Sequence, residues 1–339
     1  MKSCYMSGAA SLSLMLLAAG GAAAADKFVV GVSNTLIGNG WREEMICSIK
    51  AEAEASGLVS KVIVANRNGG PSEQIADIRN LISAGANAII INPSDREALN
   101  PVIKQAAERG IVVVAVDQAV TAPEAYVLTN DQVDYAKIGA KWLFDKLGGK
   151  GSVVEMRGID GVPADADRHQ GFTEVAKAYP DIKVTTVFSG WALNKTAQVT
   201  KDLLASGKEI DGVWTSGIDS TVIDAYKTAG KKYVPVVGAD NNGFIGQLIN
   251  MKGDGVSGAA VSNPPAVGGA GLGLALDVLQ KKAHPHAVKI TPTIWDNDKD
   301  MDKLKAAYNP KLDPFYSVAI NVPPYTHYTL DQIIACKGP

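Results

Sequence analysis

This sequence predicts an α/β fold made of two doubly wound parallel-sheet domains, joined by a hinge with a ligand cleft between them. Three observations carry that prediction. Short runs rich in β-branched residues alternate with stretches whose apolar spacing is helical. The alternation falls into two successive sets. Polar side chains recur just after the runs, which is where open parallel sheets bind ligands.

The strand-like runs are 28–33, 62–65, 88–91 and 111–116, then 153–156, 184–188, 212–215, 234–239 and 256–261. Continuous apolar runs of this kind suit parallel strands covered on both faces. Between them, 41–56, 71–84, 97–109, 132–147, 167–178, 195–205 and 220–229 carry helical spacing. Helices such as 41–56 end at a glycine, here Gly57, where a left-handed cap is wanted. The segment YVLTND at 126–131 is the candidate for the first crossing between the two sets. Beyond the second set, 264–282 reads as a long helix whose glycines permit close packing. Residues 289–295 read as a strand, 296–314 as polar and irregular, 315–322 as strand-like and 330–335 as a short helix.

Residues 1–25 have the pattern of an export signal. Lys2 gives a positive start, 12–17 an apolar core, and Ala23, Ala24 and Ala25 a cleavage pattern before Asp26. That core is too short for a membrane span of about 20 residues. Cleavage after Ala25 and release outside the cytoplasm, into the periplasm, are expected. The remainder is long enough for about two domains. The expected division is 26–129 plus 263–295 for the first domain and 130–262 for the second, with 296–339 a tail of open assignment. Basic and acidic residues number 33 and 35. That balance gives no footprint for nucleic acid.

The residues after the strands include Asn39, Asn92, Asp117 and Gln118 in the first set, and Arg157, Trp191, Ser216, Asp219 and Asp240 in the second. Carboxylates accept and guanidinium donates in a fixed fork, so such a set suits a ligand rich in hydroxyls. Each of these alone is as readily a loop cap. Trp41, followed by Arg42, offers an apolar face to a sugar, or it staples the first helix to the sheet.

At this point the chain resembles the periplasmic sugar-binding proteins of the ribose/galactose type. The resemblance covers about 27–282 and rests on NTLIGNGW at 34–41, INPSDREAL at 91–99, VDQAV at 116–120, DRHQGF at 167–172 and VVGADNN at 236–242. It implies a substrate-binding subunit that captures a monosaccharide or polyol by hinge closure and delivers it to the membrane permease of an ATP-binding-cassette importer. It also implies that Asn39 and Trp41 serve as first-loop amide and stacking ring, Asp117 and Asp240 as carboxylates, Arg168 as guanidinium, and Trp191 as the opposing aromatic. The chain departs from that pattern at Gln118, where the family often has Arg, at Asp219 within Gly217-Ile218-Asp219, and at Ser262 or Asn263, where the family has Gln. Arg42 beside Trp41 is similar to a subgroup with galactofuranose binders.

No catalytic motif is visible, and a binding protein, monomeric and without cofactor or metal, is expected. The alternative is an exported sugar hydrolase with Asp117 and Asp240 as the acid/base pair. A repressor of the same fold would need a DNA-reading segment where the leader stands. The acidic stretch 296–302 resembles a calcium loop but lacks its glycine and its closing glutamate. Cys47 and Cys336 are an even pair in a compartment that permits disulfides. They are expected either to join, drawing the tail back to the first domain, or to stand as a buried small hydrophobe and a free tail thiol.

Overall fold

The protein is described here by a computed structural model covering Met1 and residues 27–339. The expected leader and its cleavage point therefore lie, Met1 aside, outside the described residues.

The chain runs β1 (Phe28–Asn34), α1 (Gly40–Ser56), β2 (Val59–Asn66), α2 (Pro71–Ser83), β3 (Ala88–Ile91), α3 (Asn100–Ala107), β4 (Val112–Val116) and β5 (Tyr126–Asn130). It continues as α4 (Gln132–Lys146), β6 (Lys150–Arg157), α5 (Pro163–Ala176), β7 (Asp181–Phe188), α6 (Leu193–Ala205), β8 (Gly212–Trp214), α7 (Asp219–Thr228), β9 (Val236–Ala239), α8 (Asn242–Asn250) and β10 (Gly258–Val261). The last part holds α9 (Val267–Leu279), β11 (Ala287–Ile290), β12 (Ile294–Asp296), α10 (Met301–Ala307) and α11 (Leu330–Ala335).

Two sheets result, ordered β11-β5-β4-β3-β1-β2 and β12-β10-β9-β8-β6-β7. Every pairing is parallel except β10 with β12. The inner strands of each sheet, such as β3, β4, β9 and β10, are buried on both faces, which is why they read as continuous apolar runs. Met45, Ile49 and Leu272, from α1 and α9, cover Val30, Val32, Ile90 and Val114 on one face of the first sheet. Ile78, Leu81 and Ile103, from α2 and α3, cover Ile89, Ile91 and Val113 on the other. In the second sheet Tyr135, Phe144 and Phe172 pack over Trp214 and Val237. Val222, Phe244 and Leu248 cover the opposite face. Each such side chain contributes about 1.5–3 kcal/mol when fully buried.

Several elements differ from expectation. The YVLTND segment is a crossing only at its end, because most of it is β5, hydrogen-bonded in the first sheet. The stretch 289–295 is two strands, not one. β11 joins the first sheet and β12 the second, so the chain passes between sheets at 291–293. A first-domain boundary at 295 thus falls inside a strand of the second sheet. The first and second crossings lie at 130–132 and 262–266, and the tail makes a fourth passage back to the first unit. Residues 296–314 contain α10, and α8 had no sequence counterpart. Residues 315–322 are not a strand and make only the isolated bridge Ser317 to Asn241. The alternation seen there has another cause. Tyr316 and Ile320 pack on Cys47 and Ala51 of the first unit. Val318 packs on the second. The segment is a wedge that buries alternate side chains on opposite units.

The tail returns to α1, where Cys336 and Cys47 are joined by a disulfide with Cα atoms 4.6 Å apart. The acidic stretch 296–302 is taken up by local bonds. Asp296 accepts from the backbone N–H groups of Asp298 and Lys299 and from Trp142 Nε1. Asp298 pairs with Lys146 and Lys252.

Candidate functional site

The loop ends of both sheets meet around one cavity, lined by Asn39, Trp41, Arg42 and Asp117 from the first unit, Ala164, Arg168, Trp191, Ser216 and Gly217 from the second, and Asn263 from the second crossing.

Asn39 caps α1, its Oδ1 accepting from Arg42 N at 3.1 Å. That cap swings Trp41 and Arg42 from the first turn into the cavity wall. The indole N–H of Trp41 donates to the Asn263 carbonyl at 2.6 Å, which ties the first helix to a crossing. Opposite stands Trp191, whose Nε1 donates to Ser216 Oγ at 3.3 Å. Its ring lies against Gly158 so closely that a Cβ there would enter it. Both Trp191 and Asp117 adopt left-handed backbone angles, with φ of 51° and 65°. Conformations of this kind cost non-glycine residues on the order of 1–3 kcal/mol and collect at binding sites.

Arg168 is held by Gln132 Oε1 at 2.8 Å and the Ser216 carbonyl at 3.4 Å, its guanidinium 4.5 Å from the Tyr135 ring centre and 5.7 Å from that of Trp191. Gln132 also donates to Asp117 Oδ1 at 2.7 Å, so one amide aligns the carboxylate of one unit with the guanidinium of the other. Arg42 Nη1 donates to Asn34 Oδ1 at 2.9 Å. Burial lowers the Arg42 pKa to about 10 and raises Asp117 above its ordinary range, although both guanidiniums oppose that rise.

The cleft is closed. Ala164 N donates to Gln118 Oε1 at 2.9 Å, Asn39 Nδ2 to the Trp191 carbonyl at 3.1 Å, and Arg96 to Asp167 at 2.7 Å. At its mouth Leu36 meets Ile159, Val162 and Leu193 around Trp191.

Asn39, Trp41, Arg42, Asp117, Arg168, Trp191 and Asn263 are therefore gathered at one cavity. Asn92, Gln118, Asp219, Asp240 and Ser262 are not among its lining residues. Gln118 donates to Asn92 Oδ1 and the Pro93 carbonyl while bonding across the cleft, so this amide pair acts as a latch behind the wall. Asp219 caps its own loop, accepting from Gly217 N, Ala239 N and Asn241 Nδ2. Asp240 accepts from Asn263 N at 3.0 Å and Ser317 Oγ at 2.9 Å, which positions the crossing and the tail. Ser262 bonds to Thr293, joining two passages side by side. Ser216, one of the residues expected after strands, also lines the cavity; Ala164 and Gly217 line it without having been singled out for it, and Gln132 aligns it from behind. The position of Gln132, directly after the first crossing, was the signal available for that residue. Among the described residues no group of three metal-ligating side chains gathers.

Two doubly wound units closing loop ends over a shared polar and aromatic cavity define a two-domain solute-binding protein. The chain belongs to the periplasmic binding protein domain family, whose model matches residues 30–283. It is 32% identical over 245 residues to the xylitol-binding protein of Mycolicibacterium smegmatis, covering 69% of this chain and 68% of that one. It is 27% identical over 271 residues to the ribose import binding protein of Bacillus subtilis, covering 79% and 85%. Among solved structures it resembles an ABC transporter solute binding protein from Thermobispora bispora, with 31% identity, a TM-score of 0.78, and coverage of 86% of this chain and 90% of that one.

Proposed function

We propose that this chain is the exported solute-binding subunit of an ATP-binding-cassette importer, capturing one monosaccharide or polyol between its two units. The cavity carries the proposal: two indoles, two guanidiniums and a carboxylate, drawn from both units, line one space that cross-cleft bonds seal. Trp41 and Trp191 take the apolar face of the solute, while Asp117, Arg168 and Asn39 take hydroxyls. The relatives named for ribose and xylitol support a small polyhydroxylated solute.

In this proposal the first unit is 27–129 with 263–290, and the second is 130–262 with β12 and α10. The passages at 130–132, 262–266 and 291–293 form the hinge. Binding favours the closed arrangement because only there do both units touch the solute. The protein is a periplasmic monomer released by cleavage after Ala25, and it hands its solute to a membrane permease. The observations do not support the hydrolase pair: Asp240, its second carboxylate, is engaged by Asn263 and Ser317 and does not line the cavity with Asp117.

A melting-temperature screen over pentoses, hexoses and polyols tests the proposal, since a solute that binds only the folded form raises the midpoint. Solution scattering with the best solute is expected to show compaction and no turnover of it. An unchanged profile at saturation, or release of a sugar product, would contradict the proposal.

A further inference from the structure

The cavity carries more positive than negative charge. Arg42 and Arg168 both line it, each 5% exposed, against a single lining carboxylate, Asp117. The hydrogen bonds these two guanidiniums make go to neutral oxygens, those of Asn34, Gln132 and Ser216. One oxygen of Asp117 is already used by Gln132 Nε2. The other buried carboxylates nearby do not restore the balance. Asp219 and Asp240 do not line the cavity, and their oxygens are bonded to loop and crossing groups. Glu44 lies on α1, turned to the backbone N–H of Ser317, and is pushed well up by burial.

Removing a charge from water is costly unless a partner meets it in the closed site. A neutral sugar supplies hydroxyl oxygens but no charge, so closing over it would leave one guanidinium uncompensated. A carboxylate offers two acceptor oxygens in the geometry a guanidinium fork matches. Resting on the sugar-binding proposal above, we infer that the solute is a sugar acid, an aldonic or uronic acid, whose carboxylate pairs with Arg42 and Arg168 while Trp41 and Trp191 cover its carbon skeleton. The surplus of guanidinium over carboxylate in the cavity lining sets the preference.

Calorimetric titration of the purified protein at pH 7.5 with matched pairs tests this: galactose with galacturonate and galactonate, ribose with ribonate, xylitol with xylonate. At least one acid is expected to bind tenfold or more tightly than its neutral parent. Arg42→Gln should erase that preference, and Asp117→Asn, which removes the one countercharge, should widen it. Each variant's melting transition reports whether it folds, and the Asp117→Asn result stands even if Arg42→Gln does not fold. Neutral parents that bind as tightly as their acids would overturn this inference and leave the sugar-binding proposal intact. So would a preference for acids that narrows in Asp117→Asn. No binding by any compound, neutral or acidic, would overturn both.

Discussion

Ser317 and Glu44 are 273 residues apart in the chain, and the backbone N–H of Ser317 donates to Glu44 Oε2 at 2.7 Å. The hydroxyl of the same serine donates to Asp240 Oδ2 at 2.9 Å. One tail residue thus joins the first helix of one unit to the end of a central strand of the other. The neighbours of Ser317 extend the junction, since Tyr316 and Ile320 pack on the first unit and Val318 on the second.

Ser317→Ala removes the bond to Asp240 and leaves a buried acceptor short of a donor. The expected loss of stability is about 1–2 kcal/mol, the scale of a buried hydrogen bond whose partner is stranded. Urea unfolding checks it, and an unchanged midpoint would show that the tail does not strap the units together.

Gly158→Ala places a methyl group inside the Trp191 ring, so the indole must leave its position. Solute affinity should fall by about 1–3 kcal/mol, the scale of a large lost apolar contact. Trp191→Ala should lose a similar amount, and the double variant little more than either alone. Additive losses would mean that Gly158 acts on something other than the ring.

Burial lifts Asp240 to about 6 from an ordinary 3.8. In the unfolded chain this group ionises first, so between about pH 4 and 6 the folded form holds more protons. Stability therefore falls as pH rises through that window. Asp219, raised to about 7, extends the fall to near neutrality. Asp240→Asn keeps an oxygen for Asn263 N and offers an amide donor to Ser317 Oγ. Relative to the unsubstituted protein it should recover on the order of 2 kcal/mol at pH 8 compared with pH 4. Urea midpoints at both pH values decide this, and an unaltered slope would place the titration elsewhere.

The strands of both sheets were legible because a strand buried on two faces must be apolar throughout, as in Ala88–Ile91 and Val112–Val116. α8 was hidden by the residues that let it pack. A Cβ at Gly243 would meet Pro314 and one at Gly246 the Tyr308 ring, so docking the tail requires glycines that weaken the local helix signal. The wedge at 315–322 alternates like a strand because it touches two partners distant in sequence. The gathered part of the site was readable as polar residues following strands. A carboxylate turned into the fold, such as Asp219 or Asp240, has the same letter and place as one turned to the cavity. Only the partners Gly217, Ala239, Asn263 and Ser317 tell them apart.

Cys47 and Cys336 should resist alkylation in denatured, unreduced protein and react after reduction. Reduction, or Cys336→Ser, is expected to lower stability by about 2–5 kcal/mol, the range for a native bridge closing a long loop. Two reactive thiols per chain before reduction would contradict the bridge.

The bridge joins residues 289 apart, and the ring it closes holds every strand except β1 and every passage between the sheets. A protease that nicks any exposed turn inside that ring opens the backbone without releasing a piece. The nicked molecule should migrate as a single species on a non-reducing gel and as two on a reducing one. Because every passage lies on that one covalent ring, a cut within any of them would still leave the two halves of the cleft attached to each other.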